Sequence, residues 1–522
     1  VNAAVQPSEK VDFKTWLAVV GSIIGAFMAV LNIQITNASL PDIQGAIGAG
    51  LDDGGWISTA YLVSEIVVIP LTGFMTNVFS LRRYLLANTI LFLVFSVACA
   101  FATDLSQMIV LRAIQGFFGG TLIPLAFTLT LTSLPPSKQP IGLSMFALSA
   151  TFAPAIGPTI GGWLTETYGW QYIFYVNIIP GALMLAALWV TLPKAAMRLG
   201  LLREGDWTGI ATLSIGLATL QTVLEEGNKD DWFGSPFILR LTVVSAVSLA
   251  LFVFIELTSE KPLLDLRLLT RRNFGLGTIS SVLLGMALYG SVYLLPLYLS
   301  QMQGYNSEQV GFVLAWTGLP QLVLIPLVPR LMRFVDARLL VGIGFALFAG
   351  SCFLNVAISP DYSGPQLLVP NIVRAVGQAL VMTPLTSLTT AGIARVSAAS
   401  ASAIYNMVRN LGGAIGIAGL QTLLAKREQF HSSILTAHIS LLDPATTQRI
   451  GQLQQRFMAM GTSDTATAWH DAVVEIGRIV QAQSYFLAYA DTFFVMGSAL
   501  LLALVAAMLM RKSGGGAAAG AH

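Results

Sequence analysis

The sequence predicts an all-α membrane protein of fourteen transmembrane helices: two six-helix halves, two helices inserted between them, and a helical hairpin outside the membrane. Three observations predict it: the composition, the recurrence of apolar stretches of one length, and the side on which basic residues gather. Of 522 residues, 55% are hydrophobic and 10% charged, where a soluble domain carries roughly 25% charged residues. A chain this long with so few charges is read as integral to the membrane rather than as several soluble domains. Its net charge of +2 offers no basic surface for nucleic acid. Cys99 and Cys352 both lie in apolar runs and read as buried thiols, with neither a disulfide framework nor a metal site indicated. No cleavable signal peptide is expected, because a short polar segment leads directly into a full-length apolar span.

Apolar stretches of about twenty residues cross about 30 Å of hydrocarbon as helix. They fall near 16–36, 55–75, 84–102, 106–130, 141–164, 171–192, 207–225, 236–257, 274–300, 308–330, 338–358, 366–392, 401–424 and 486–510. Lysine and arginine collect on the cytoplasmic side of such spans. With the N-terminus inside, Lys10, Lys14, Arg82, Arg83, Lys138, Lys194, Arg198, Arg203, Lys261, Arg267, Arg271, Arg272, Arg330, Arg333, Arg338, Arg395, Arg511 and Lys512 all fall on that side. The short outer loops hold only Lys229, and Arg240 sits just inside the outer end of span eight. One missed span would scramble this alternation, so it supports an even number of spans and two cytoplasmic termini.

The expected organisation is a cytoplasmic segment at 1–15, a six-helix half at 16–192, the inserted pair with its linkers at 193–273, a second half at 274–510, and a cytoplasmic tail at 511–522. Within the second half, residues 425–485 form a long outer segment. Its stretches "REQFHSSILTAHISLL" and "HDAVVEIGRIVQAQSYF" carry apolar residues at helical spacing, which predicts a folded hairpin outside the membrane. It reads as a lid or spacer, or as a docking surface. His431, His438 and His470 lie in it without a metal-ligand spacing and read as solvated surface residues.

Repeated halves are common in transporters, with the site between them. "PLTGFMTNVFSLRRYLL" (70–86) has an echo in "PLVPRLMRFVDARLLVG" (326–342), and "IVLRAIQGFFGGTLIPL" (109–125) has one in "NIVRAVGQALVMTPL" (371–385). The two offsets nearly agree, which implies two halves of like orientation around a central cavity. In "ATFAPAIGPTIGGWL" (150–164), Gly157, Pro158, Gly161 and Gly162 strip side chains from one stretch of helix and remove one backbone donor, permitting close approach and a bend.

With these motifs the sequence resembles the major facilitator superfamily, and within it the fourteen-helix drug:proton antiporters of the EmrB/QacA type. The Gly-Pro element is similar to the antiporter motif of span five, and "LRAIQG" (111–116) to the span-four motif, with Arg112 as its membrane-buried arginine. "WQYIFYVNIIPG" (170–181), "DWTGI" (206–210), "PLLDLRLL" (262–269) and "YLSQMQGYNSEQVGF" (298–312) resemble further family stretches in order. The resemblance covers essentially the whole chain. It implies a major facilitator fold and an inner-membrane multidrug efflux antiporter driven by a proton gradient, with no cofactor. For the EmrB branch it also implies a periplasmic adaptor and an outer-membrane channel as partners in a tripartite pump. No hydrolase, nucleotide-binding or nucleophile motif stands out, so no enzymatic activity is expected.

Two places depart from the family pattern. The gating loop after span two, "GFMTNVFSLRR" (73–83), keeps Gly73, Arg82 and Arg83 but has Asn77 where an aspartate is usual and Ser80 where a glycine is usual. "VLNIQITNASLPDI" (30–43) resembles the span-one motif "LDxxIxNxxLP" with Asn32 in the aspartate's place.

Proton-driven export needs a group whose ionisation is tuned by burial and neighbouring charge. Helical rise puts Asn32 roughly 7 Å, Arg112 roughly 10 Å and Glu65 roughly 15 Å below the outer ends of their spans. Glu65 is the acid well inside a span of the first half, and two readings stand for it: a structural partner of Arg112, or the carrier of the proton. Asn32 cannot titrate. Either the chain relies on Glu65, or Asn32 replaces an aspartate to hold one conformation, which the fidelity of the surrounding motif favours. The cavity for small hydrophobic or amphipathic compounds is expected to be lined from Gln34, Gln115, Met145, Phe146, Tyr289, Tyr293, Asn406 and Arg409, since aromatic and Met surfaces adapt to varied apolar molecules. Two other classes remain: a facilitator or symporter for a defined polar solute, and a non-transporting membrane sensor or scaffold.

Overall fold

The computed structural model describes residues 11–50, 53–203, 205–259, 262–394, 397–461 and 464–511. Of the loop charges above, Lys10, Lys261, Arg395 and Lys512 lie outside these residues, as do most of 1–15 and 511–522. Among the described residues the secondary structure is α-helix and short 3-10 turns, with no strand. The first half contains α1 (Phe13–Ala38), α2 (Leu40–Ile47), α3 (Trp56–Val68), α4 (Thr72–Phe79), α5 (Leu81–Cys99), α6 (Leu105–Gly119), α7 (Leu122–Ser133), α8 (Gln139–Tyr168), α9 (Tyr172–Tyr175) and α10 (Ile178–Thr191). Then come the inserted α11 (Trp207–Glu226) and α12 (Pro236–Thr258). The second half contains α13 (Arg272–Gln303), α14 (Ser307–Leu331), α15 (Ala337–Leu354), α16 (Gly364–Thr390), α17 (Ala398–Ala437), α18 (Pro444–Ala459) and α19 (Thr465–Met508).

Twelve helical stretches among the described residues are long and apolar enough to cross a membrane, thirteen when α3 and α4 are taken as one span bent by 62°. The remaining expected span, 401–424, lies within the forty-residue α17. It falls short on apolarity because it carries Ser402, Asn406, Arg409 and Asn410, three of which are buried in the bundle. Interior polarity of this kind goes with function rather than with lipid contact.

Residues 425–485 form more than a two-armed hairpin. The first expected arm is a continuation of α17 and the second is the start of α19, and between them α18 is a third helix. Ile450 and Leu453 of α18 pack on Ala472 of α19, with Phe457 and Ile476 beside them. At the root of this excursion Asp491 accepts from Arg427 Nε at 2.6 Å and meets His431 Nε2 at 2.7 Å. His431 is therefore tied to the bundle, while His438 bonds to the backbone of its own helix at Ile434.

The packing scheme repeats between the halves. α1 packs on α8 as α13 packs on α17, α3 on α6 as α14 on α16, and α5 on α6 as α15 on α16. Two large apolar cores follow, one around Phe92, Phe127 and Phe174, the other around Tyr298, Phe345 and Phe493. The inserted α11 packs on both α12 and α3. Asp206 caps it through the Gly209 amide at 2.8 Å, supplying an acceptor to otherwise unpaired first-turn donors.

Candidate transport site

The glycines of α8 set where α1 lies. A Cβ on Gly157 would fall 2.5 Å from that of Gln34, and one on Gly161 would fall 2.9 Å from the Ile35 carbonyl oxygen. Pro154 and Pro158 lie inside the same helix, and Gly162 is half-buried one residue further on. The span-five element thus grips α1 immediately beyond Asn32.

Asn32 and Arg112 are both 1% exposed. Arg112 Nη1 donates to Asn32 Oδ1 at 2.7 Å and to Gln115 Oε1 at 2.7 Å, and its Nε points to the Ile57 carbonyl at 3.4 Å. The guanidinium carbon lies 4.3 Å from the ring centre of Tyr61 and 5.8 Å from that of Phe174. Cation–π contact and neutral acceptors thus surround a buried cation. Asn32 Nδ2, Gln115 Nε2 and the Tyr61 hydroxyl are buried without hydrogen-bond partners. An aspartate at 32 would present acceptors only, so the orphaned amide donor is a cost specific to asparagine.

Glu65 is 3% exposed. It forms no ion pair within 4.0 Å among the described residues, so the close structural pair with Arg112 is not made. Its Oε1 accepts a long, weak 3.4 Å bond from Asn410 Nδ2 across the interface of the halves, and Oε2 has no partner. It lines a cavity of about 70 Å³ with Gln34 and Asn37 of α1, Gln221 and Glu225 of α11, Tyr289 of α13 and Asn410 of α17. That volume holds about two waters, far below the roughly 300–1,000 Å³ of a drug-sized pocket. The halves must part for a large molecule to reach Glu65.

The other expected cavity residues divide. Tyr289 also lines a second, smaller cavity with Arg409, Arg374 and Gln378. Arg409 Nη2 donates to Asn406 Oδ1 at 3.0 Å, and Asn406 Nδ2 to the Ser402 carbonyl at 2.9 Å. The Tyr293 hydroxyl accepts from Gln421 at 2.8 Å. Gln115 belongs to the Arg112 network instead of a cavity. Phe146 packs edge-on against Phe127 at 5.4 Å, and half-buried Met145 packs against the first core. Asn410, Gln221, Glu225 and Arg374 were not anticipated. Arg374 had a visible signal, since it occupies the Arg112 place in the repeated "IVRA" stretch; it is 4% exposed, with Nε unpartnered.

The gating loop sits at the end of the bundle that carries the basic residues. Gly73 faces Ala399 of α17, where a Cβ would come to 3.3 Å. Asn77 is exposed and shares a cavity of about 320 Å³ with Ser397, Ala399 and Ser400 at the start of α17 and with Asp265. Arg82 donates to the Leu192 carbonyl at 2.9 Å and stacks over Trp189 at 4.9 Å, while Arg83 is exposed.

Residues 22–417 match the Major Facilitator Superfamily. The chain is 32% identical to the multidrug export protein EmrB of Escherichia coli K12, covering 91% of this chain and 92% of that one. It is 32% identical to the colistin resistance protein EmrB of Acinetobacter baumannii (89% and 91% covered) and 31% identical to the fatty acid resistance protein FarB of Neisseria gonorrhoeae (92% and 94%). Among solved structures it superposes on the human organic anion transporter MFSD10 with a TM-score of 0.59 at 14% identity, covering 94% and 99% of the two chains. The proton:xylose symporter XylE gives 0.58 at 13% identity, covering 94% of each; at these identities both speak to the fold. With a family match across most of its length and relatives matched nearly end to end, this multi-pass membrane chain belongs to the Major Facilitator Superfamily.

Proposed function

We propose that the chain is a proton-driven exporter of varied hydrophobic or amphipathic compounds, working by alternating access between its two halves. The names of its relatives, which concern multidrug export and resistance, support this reading. The observation that carries the coupling is Glu65, a buried carboxylate with one unpartnered oxygen on a cavity where α1, α3, α11, α13 and α17 meet. A group there is desolvated in one state and reached by water when the halves part, which is the condition for a proton to be taken up on one side and released on the other. Arg112, held by Asn32 and Gln115, is the fixed positive charge of the same region.

We place the chain in a bacterial inner membrane with fourteen spans, α17 among them, and with both termini cytoplasmic, following the loop charges. The excursion at 425–485 is the part a periplasmic adaptor would grip in a tripartite pump. No cofactor is required, since a proton gradient supplies the driving force.

The test is transport of a fluorescent dye in liposomes under an imposed pH gradient. Glu65→Gln should abolish proton-coupled dye movement while leaving the protein folded, and undiminished coupling would sink this assignment. Asn32→Asp should raise drug-driven proton movement by giving Arg112 a charged acceptor; no gain would mean that the proton is carried without position 32.

A further inference from the structure

The inserted pair looks at first like a spacer between two complete halves, yet α11 forms one wall of the Glu65 cavity. We propose that Glu225 of α11 is a specificity-determining residue, a second carboxylate that gives the transport cavity its preference for positively charged amphipathic compounds. The inference rests on reading this cavity as the transport cavity.

The two carboxylates on the cavity have different surroundings. Arg112 and Arg409 both act electrostatically on Glu65, and Asn410 gives it a long hydrogen bond. Glu225 has no basic partner among the described residues. Its Oε1 accepts from Gln221 Nε2 at 2.9 Å, a neutral donor one turn earlier on the same helix. The local cation is already used: Lys229 pairs with the neighbouring Glu226 at 3.4 Å, and Glu226 also accepts from Thr59 Oγ1 at 3.0 Å. Glu226 thereby ties α11 to α3 and leaves Glu225 as the carboxylate turned to the cavity. No lysine, arginine or histidine lines that cavity. Its other walls are amides, the Tyr289 ring and aliphatic side chains such as Leu62 and Ile417. An unanswered negative charge among amides and apolar surface favours a ligand that is greasy and positive, because a buried charge needs a counter-charge.

The experiment measures binding to the full chain in lipid nanodiscs near neutral pH, so it does not depend on proton coupling. The probes are tetraphenylphosphonium, a permanent cation, and triphenylphosphine oxide, a neutral molecule of similar shape. Glu225→Gln should weaken the cation about tenfold, as expected for losing one charge at close range in a partly polar site, and leave the neutral probe within about twofold. Glu225→Asp, which keeps the carboxylate one methylene shorter, should retain most of the preference for the cation. Equal weakening of both probes would make Glu225 a structural wall only and overturn the proposal. Unchanged affinities in Glu225→Gln would overturn it as well. If instead no compound moves under a pH gradient in liposomes, the export reading fails while the charge selectivity of binding is judged separately.

Discussion

Ser80 shows how a single sequence departure becomes physical in the structure. The family pattern has glycine there, and Ser80 adopts φ 70° and ψ 146°, a region in which a Cβ is disfavoured. Its hydroxyl is also buried without a partner. Ser80→Gly should therefore stabilise the protein by about 1 kcal/mol, read as a rise in Tm in detergent; a fall would show that the hydroxyl has a use. Asn32 is the second such residue, since the motif located it while only the coordinates showed its orphaned amide. The site as a whole was half legible in this sense. Glu65 and Arg112 stand out in sequence because charge inside an apolar run is rare. Asn410 and Glu225 do not: an amide in α17 and a carboxylate at the end of α11 gain meaning only when distant helices bring them to one cavity.

At the scale of elements, helix positions were legible because each apolar run has the length of a membrane crossing. What was not legible is how helices bend and continue. The second span breaks into α3 and α4, and α17 and α19 run far beyond the apolar stretch that marks them, because a helix does not stop where hydropathy does. Close approach, by contrast, was written in the glycines. Gly161 meets the backbone of α1, with Ile35 Cα at 3.2 Å from a Cβ built there, and backbone cannot rotate away as a side chain can. Gly161→Val should push α1 from α8 at a cost of about 1–3 kcal/mol, lowering Tm and disturbing the Asn32–Arg112 bond. A melting curve unchanged from that of the parent protein would show that the two helices tolerate separation.

At the scale of the whole molecule, alternating access requires that contacts between the halves be strong enough to hold one state and weak enough to break. At the basic end those contacts gather on α17, where Ile66 and Ile69 share one apolar cluster with Ala401 and Ile404. Ser402 Oγ donates to the Pro124 carbonyl at 2.9 Å, Tyr405 stacks on Phe127 at 5.7 Å, and Gly73 lies against Ala399. Asn77 faces the first turn of α17 across the cavity described above, and that turn has no acidic residue. A helix N-terminus carries a partial positive charge, and an anion near it gains about 0.3–1 kcal/mol. Asn77→Asp should thus strengthen the contact between the halves at this end and shift the population toward closure there by a factor of about two to five. Spin labels on Arg83 and Arg333 positions, one in each half, would read the change as a larger short-distance fraction. The same distance distribution in both proteins would mean that the latch is made without position 77, through the other contacts at this end.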